Sequence, residues 1–333
     1  MDGIASMDRR FRVTRRAEEH WPEAVEPRYG EPGRVDVDAA IEDLRRNVRR
    51  SAKAHVPVLV GVLDEGLQFI IHLEQLLLAN SHGPSAFAFC TLVARMRSLA
   101  ISFRELVLLG QTDSARLIAR VFLETSELAT VAMADPQFAV SYAPDDPLFD
   151  DKRFWKKNIA YGRIYEALRE TYRRAGISKE FVEHAVDWRR VWKDDLSGAV
   201  HCASWSAFQC AFVPSIETPG SCYVGGLGAL SAHSPPLCKL VLEEMWLFSE
   251  VFVNLLHSNP VPSNLRGFPT GAGLASTLAA EATFKKVFHE FESDLSIDRE
   301  KLFPPFEEAD EAGETESVQQ GHAADGLTPA ADG

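Results

Sequence analysis

No two cysteines in this sequence stand at the spacing of a metal or redox motif. The five, Cys90, Cys202, Cys210, Cys222 and Cys238, are an odd number without a CxxC pair, which argues against a disulfide framework and fits a reducing compartment. They read as small, buried side chains that behave as apolar groups. Several catalytic signatures are missing too. There is no Gly-x4-Gly-Lys-Ser/Thr loop, no Gly-x-Ser-x-Gly elbow, no His-Glu-x2-His helix and no Glu-x2-His pair. These absences set aside P-loop, nucleophile-elbow, zincin and di-iron chemistry. Gly226-Leu-Gly228 and Gly271-Ala-Gly273 begin like dinucleotide fingerprints, but Ser231 and Ser276 take the third glycine position and no strand is expected before either.

Uninterrupted apolar runs are also scarce. Val56 to Leu78 is broken by Asp64, Glu65, His72 and Glu74, which suits a core helix better than a membrane span. The start carries Asp8, Arg9, Arg10, Arg12, Arg15 and Arg16 where a secretory signal needs an apolar stretch. A cytoplasmic protein without a membrane partner is expected.

What is present is enough apolar material for a large core: 333 residues, 46% of them hydrophobic. The net charge is -13, and much of it sits at one end. From Pro304 onward Glu307, Glu308, Asp310, Glu311, Glu314, Glu316, Asp325 and Asp332 meet no Lys or Arg. Without those eight, 40 acidic residues face 35 basic ones, a net of -5. That balance argues against a broad nucleic-acid surface but leaves room for a local basic groove.

The ends differ from the middle. Residues 1–34 combine charge with Pro22, Pro27, Gly30, Pro32 and Gly33 and read as a flexible arm. Residues 301–333 read as a disordered acidic tail. Between them, residues 35–300 form one helical domain, so the expected fold is all-α, a multi-helix bundle. Apolar spacing of three to four residues predicts helices at Asp38–Ala54, Pro57–Asn80, Ser85–Leu109, Thr112 or Asp113 to Ala134, Phe149–Ala175, Lys179–Lys193, Gly198–Phe212, Pro236–His257 and Thr277–Ser293. Gly110 is placed for a left-handed C-terminal cap. Val213 to Ser234, rich in Pro and Gly, is expected to be a long loop.

One helix carries the chemistry. Arg116, Arg120, Glu124 and Glu127 fall at spacings of four, four and three, on one stripe, with Leu117, Ile118, Val121 and Leu128 opposite. The stripe is either a structural salt-bridge ladder or the wall of a polar cleft. Trp155, Lys156, Lys157, Tyr161 and Arg163 on the following helix are a candidate substrate-binding group, expected beside it. His201, in Ser197-Gly-Ala-Val-His-Cys-Ala-Ser-Trp205, is either a satisfied core imidazole or a general acid or base paired with Glu124 or Glu127. Arg189, Arg190, Trp192 and Lys193 are a candidate basic and aromatic wall.

Arg15-x4-His20 and Arg50-Ser-Ala-Lys-Ala-His55 resemble the motif of the HEPN superfamily, helical bundles that include RNA-cleaving toxins and defence proteins. The resemblance implies that Arg50 and His55 assist attack by an RNA 2′-hydroxyl at a dimer interface, without metal. Arg116-x3-Arg120-x3-Glu124, Phe154-Trp-Lys-Lys157 and Ser197-Gly-Ala-Val-His201 resemble an uncharacterised bacterial all-helical family of unknown function over residues 60–255, which implies a shared fold and site without naming an activity.

The sequence therefore leads to a polar cleft of Arg116, Arg120, Glu124, Glu127 and His201 acting on RNA or a nucleotide in stress or phage defence. This would be a metal-independent ribonuclease or nucleotide-acting enzyme without a cofactor, with a homodimer as one candidate assembly. The competing expectation is a non-catalytic interaction protein or regulatory scaffold that recruits a protein partner through the tail or a helix face.

Overall fold

In the computed structural model, residues 16, 36–80, 82–142, 151–200, 212–218, 220–224, 230–266, 268 and 271–295 are described. Both termini outside this set, including the expected arm and acidic tail, and residues 201–211 with His201 lie beyond the described residues.

The all-α expectation holds. Helix α1 (Val37–His55) starts where the Asp36 carboxylate accepts from the Ala39 amide at 3.1 Å, with Asp38 in its first turn and Lys53 and His55 in its last. Acid at the start and base at the end both suit the helix dipole. At Val56 the chain turns through 103° into α2 (Pro57–Asn80). Its partner α3 (Pro84–Leu108) begins after Gly83, whose φ of 93° only glycine adopts easily.

Gly110 ends α3 with φ 69°, and the Gly110 and Gln111 amides donate to Val107 and Leu106 carbonyls at 3.0 and 2.9 Å. This is the expected left-handed cap. Helix α4 (Thr112–Ala134) follows, but neither Thr112 nor Asp113 caps it: Gln111 holds the cap position, and the Thr112 hydroxyl instead meets Ser234 Oγ at 3.0 Å.

Helix α4 is the centre of the bundle, with α3, α9, α8, α7 and α5 against it. Its buried face is built from small side chains, Ala115, Ala119, Ser126, Ala129 and Ala132, alternating with Phe122, Leu123 and Met133. Small residues let neighbouring helices approach closely. Leu117, Ile118, Val121 and Leu128, expected to form the apolar face, lie on its flanks and stay partly exposed. The helical spacing holds, but burial follows the small residues.

Helix α5 (Pro136–Tyr142), not foreseen, is capped by Asp135 Oδ1, which accepts from the Gln137 and Phe138 amides at 2.9 and 3.1 Å. The single helix expected over Phe149–Ala175 is in fact two, α6 (Asp151–Asn158) and α7 (Arg163–Arg174). They are joined by a 3-10 turn at Ala160–Gly162 where Tyr161 and Gly162 take φ 59° and 78°. Helix α8 (Lys179–Val200) runs through Ser197 and Gly198, where a break was expected, and Phe212 opens a strand rather than ending a helix. The strands β1 (Phe212–Pro214) and β2 (Cys222–Val224) pair antiparallel within the expected loop. Thus a strand does precede Gly226, though it is three residues long and Ser231 still stands at the third glycine position.

Helices α9 (Ser234–Leu256), α10 (Ala272–Glu290) and α11 (Glu292–Leu295) complete the described chain. Helix α10 starts five residues before the expected Thr277. It lies along α2, close enough to α9 that a Cβ at Gly66 would meet Met245 Sδ at 2.7 Å and Phe284 Cε2 at 3.2 Å. Among the described residues α3 alone is by itself long and apolar enough to cross a membrane. Here Phe89, Leu92, Val93, Met96, Ala100 and Phe103 of α3 are packed into the protein core.

The carbonyls left open at the C-terminal end of α4 are taken from two sides. Asn264 Nδ2 donates to Ala132 O at 2.7 Å while its Oδ1 accepts from Ser85 Oγ at 2.7 Å, and Arg174 donates to Ala134 O at 2.8 Å. A buried helix end needs such partners.

Candidate functional site

The charged stripe of α4 faces α8. Arg116 Nη2 donates to the Asp195 carbonyl at 3.0 Å and lies 3.4 Å from its carboxylate. One turn on, Arg120 Nε donates to Glu124 at 2.8 Å, and its Nη1 donates to the Lys193 carbonyl. Past Glu124 the seam closes over: Glu127, 2% exposed, accepts from Lys193 Nζ at 2.8 Å.

Deeper still, Arg189 and Glu244 are both fully buried. Arg189 Nε and Nη2 reach Glu244 Oε2 and Oε1 at 3.0 and 2.6 Å, Ser126 Oγ donates to Glu244 Oε1 at 2.6 Å, and Arg189 Nη1 donates to the Tyr172 hydroxyl. Each buried charge meets its opposite in good geometry, as such charges must. Burial pushes the Glu127 carboxyl up from its ordinary range, against the pull of Lys193 and Arg189. Burial works the other way on Lys193, but the Glu127 carboxylate and the Tyr165 side chain outweigh it and raise the ammonium.

The stripe is thus graded. At the start of α4 it is half open, with Asp195 exposed, Glu124 half-buried and the two arginines mostly covered; past Glu124 it is an internal ion-pair ladder. Even there it is not fully saturated, since Glu127 Oε1 and Thr130 Oγ1, one turn apart, have no hydrogen-bond partner. Beside the open end sits His233, at the threshold of α9. Burial and the Arg116 guanidinium lower its pKa, with Asp195 pulling it up.

His233 carries no signal in the sequence beyond its place ahead of Ser234-Pro235-Pro236 at a helix start. Glu244 is equally silent there, one acid in Glu243-Glu244. His201, expected as either a core imidazole or a general acid or base, follows the last residue of α8 and lies outside the described residues, so the pairing with Glu124 or Glu127 has no described geometry. The expected basic wall divides: Arg189 and Lys193 point inward, while Arg190 remains exposed with its guanidinium 4.8 Å from the Tyr165 ring centroid.

The second group stands apart from the stripe, because α6 packs on α5 and α7. Lys152, Arg153, Lys156, Lys157 and Arg163 line one open recess of about 590 Å³, without a carboxylate among the described lining residues. Residues 143–150, with Asp145, Asp146 and Asp150, lie outside the described set. Arg163 Nη1 donates to the carbonyls of Lys156 and Lys157 at the end of α6, which fixes the recess across the break between the two helices.

Trp155 is 53% exposed and Tyr161 is 90% exposed, with the Arg163 guanidinium 6.0 Å from the Tyr161 ring. Tyr161 also holds its left-handed backbone at a cost. Helix α7 links this corner to the seam, since Tyr165 lies under Arg190 and Lys193 and Tyr172 meets Arg189.

The HEPN-like pair is on α1. Arg50 and His55 are both exposed, and five residues of helix turn them about 140° apart around the axis. Among the described residues no group of three His, Cys, Asp or Glu side chains is arranged to hold a metal ion. Cys90 and Cys238 are buried as expected, and burial pushes the Cys238 thiol up to about 12, which leaves it inert. Cys222 is exposed. No family model, curated protein or solved structure matches this chain, so the reading of its site rests on its own residues.

Proposed function

We propose that this is a cytoplasmic RNA- or nucleotide-binding protein whose anion-binding surface is the corner formed by α6, the 3-10 turn and α7. The observation that carries the reading is the recess lined by five cationic side chains, with Tyr161 and Trp155 exposed beside it. Lysines and arginines attract a phosphate backbone, and exposed rings offer stacking surfaces for unpaired bases.

The free thiols Cys90, Cys222 and Cys238 suit a reducing compartment. A role in stress or phage defence rests on the HEPN resemblance alone. Binding without cleavage is favoured by the closed ion pairs at Glu127 and Glu244, which commit those carboxylates to structure. A catalytic version would fall to the open end of the seam, with Arg116, Arg120 and Glu124 working with His201.

The test is fluorescence anisotropy with a labelled single-stranded RNA across a salt series, alongside an assay of RNA integrity. Binding is expected to weaken with salt, and Lys156→Ala/Lys157→Ala to flatten that dependence by about 0.7 in slope for each phosphate no longer neutralised. Unchanged binding by the double variant would overturn the assignment of the surface. Cleavage abolished by His201→Ala in a folded protein would establish the catalytic version.

A further inference from the structure

On the far side of α8 from α7 and the basic corner, its first turns form a second, chemically opposite cavity with α9 and α10. Phe181, His184, Ala185 and Trp188 recur at helical spacing along one stripe of α8 and face Glu243 and Trp246 of α9. Phe288 and His289 close the far wall, with Glu292 of α11 at the rim, around about 350 Å³, which is the size of a small-molecule site.

The walls are aromatic and ordered. Trp246 stacks on Phe288 at 6.1 Å between centroids and meets Phe181 and His289 edge-on at 6.3 and 5.9 Å. The charge is acidic. Glu243 is raised by burial first, with Lys239, 3.7 Å away, and the Trp188 indole N–H pulling it down and the Glu292 carboxylate pushing it up again. Glu292 itself lies 3.6 Å from His289 Nδ1 at the same aromatic wall.

We infer that this cavity binds a free small quaternary ammonium compound of the choline type. Aromatic faces attract alkylated cations through the ring quadrupole, and they do so without the tight hydration that a primary ammonium would have to surrender. The carboxylates Glu243 and Glu292, each beside a base at Lys239 and His289 Nδ1 (3.7 and 3.6 Å), supply the countercharge. The site is independent of the RNA surface, so either assignment stands or falls alone.

The experiment titrates the full chain with choline, with its neutral isostere 3,3-dimethyl-1-butanol and with a trimethyl-lysine peptide. Tryptophan fluorescence and calorimetry are the readouts. Choline is expected to bind saturably and the isostere about tenfold more weakly or worse. Glu243→Gln, with folding checked by circular dichroism, is expected to weaken choline about fivefold and leave the isostere unmoved. Phe181→Leu removes an exposed ring from the wall and is expected to weaken choline and tetramethylammonium alike.

Equal affinity for choline and the isostere, or no saturable binding of either, would overturn the site. Tighter binding of the peptide than of choline would overturn the choice of a free small molecule.

Discussion

Arg189 and Glu244 meet through two nitrogens and two oxygens with neither side chain exposed to solvent. Truncating one partner leaves the other charge in the core. Arg189→Met is therefore expected to cost about 3–5 kcal/mol in urea denaturation, while Arg189→Met/Glu244→Leu regains most of that loss by removing both charges. A double variant as unstable as the single one would show that Tyr172 and Ser126, also bound to this pair, carry the stability instead.

Tyr161 separates binding from stability. Its φ of 59° is a conformation that glycine adopts freely, so Tyr161→Gly is expected to raise stability by about 1 kcal/mol, read as a higher Tm. The same change removes an exposed ring and should weaken single-stranded RNA binding. Greater stability with weaker binding is the signature of strain held at a working surface.

His233 gives the pH dependence a sign. Its folded pKa lies below the ordinary 6.5, because burial and Arg116 disfavour the imidazolium. The unfolded chain therefore takes up a proton first as pH falls. The stability His233 contributes is complete above 6.5 and drains away as pH drops through the folded value. Urea midpoints measured from about pH 7 to pH 5 should fall less steeply for His233→Gln than for wild type.

Gly66 tests the packing of α2 on α9 and α10. An added methyl would sit 2.7 Å from Met245 Sδ and 3.2 Å from a Phe284 ring carbon. Methionine can yield more easily than the ring, so Gly66→Ala is expected to cost about 1–3 kcal/mol rather than prevent folding. Gly61, whose Cβ would meet nothing within 4 Å, is the control; Gly61→Ala should be neutral or stabilising.

The helices were legible where the signal is local. Asp135-Pro136 and Gly110 ended helices as their chemistry demands, and periodic apolar residues marked α2, α3 and α4. The breaks at Tyr161 and the continuity through Gly198 were not legible. A tyrosine in left-handed backbone contradicts local preference, and a glycine inside a helix is tolerated when its neighbours pack, as Leu196 and Ala199 do.

The stripe of α4 was legible as a stripe, but its partners were not. Lys193 and Asp195 come from α8, more than sixty residues further along the chain. Which member of Glu243-Glu244 enters the core depends on the rotation of α9, and one residue step is about 100° of turn. The grouping of Arg163 with Lys156 and Lys157 needed only the sequence to be seen; that Lys152 and Arg153 share the recess, and that a helix break lies inside it, needed coordinates.

Arg116 and Arg120 reach past the side chains of α8 to the carbonyls of Asp195 and Lys193. Every amino acid offers that oxygen. Substitutions at 193 or 195 can delete the carboxylate and ammonium pairings yet leave both arginines an acceptor, whereas either arginine, once replaced, has no substitute on the other side. Divergence along this interface should be lopsided, with position 195 of α8 free to change letters, position 193 held by the buried Glu127, and α4 held to its two arginines.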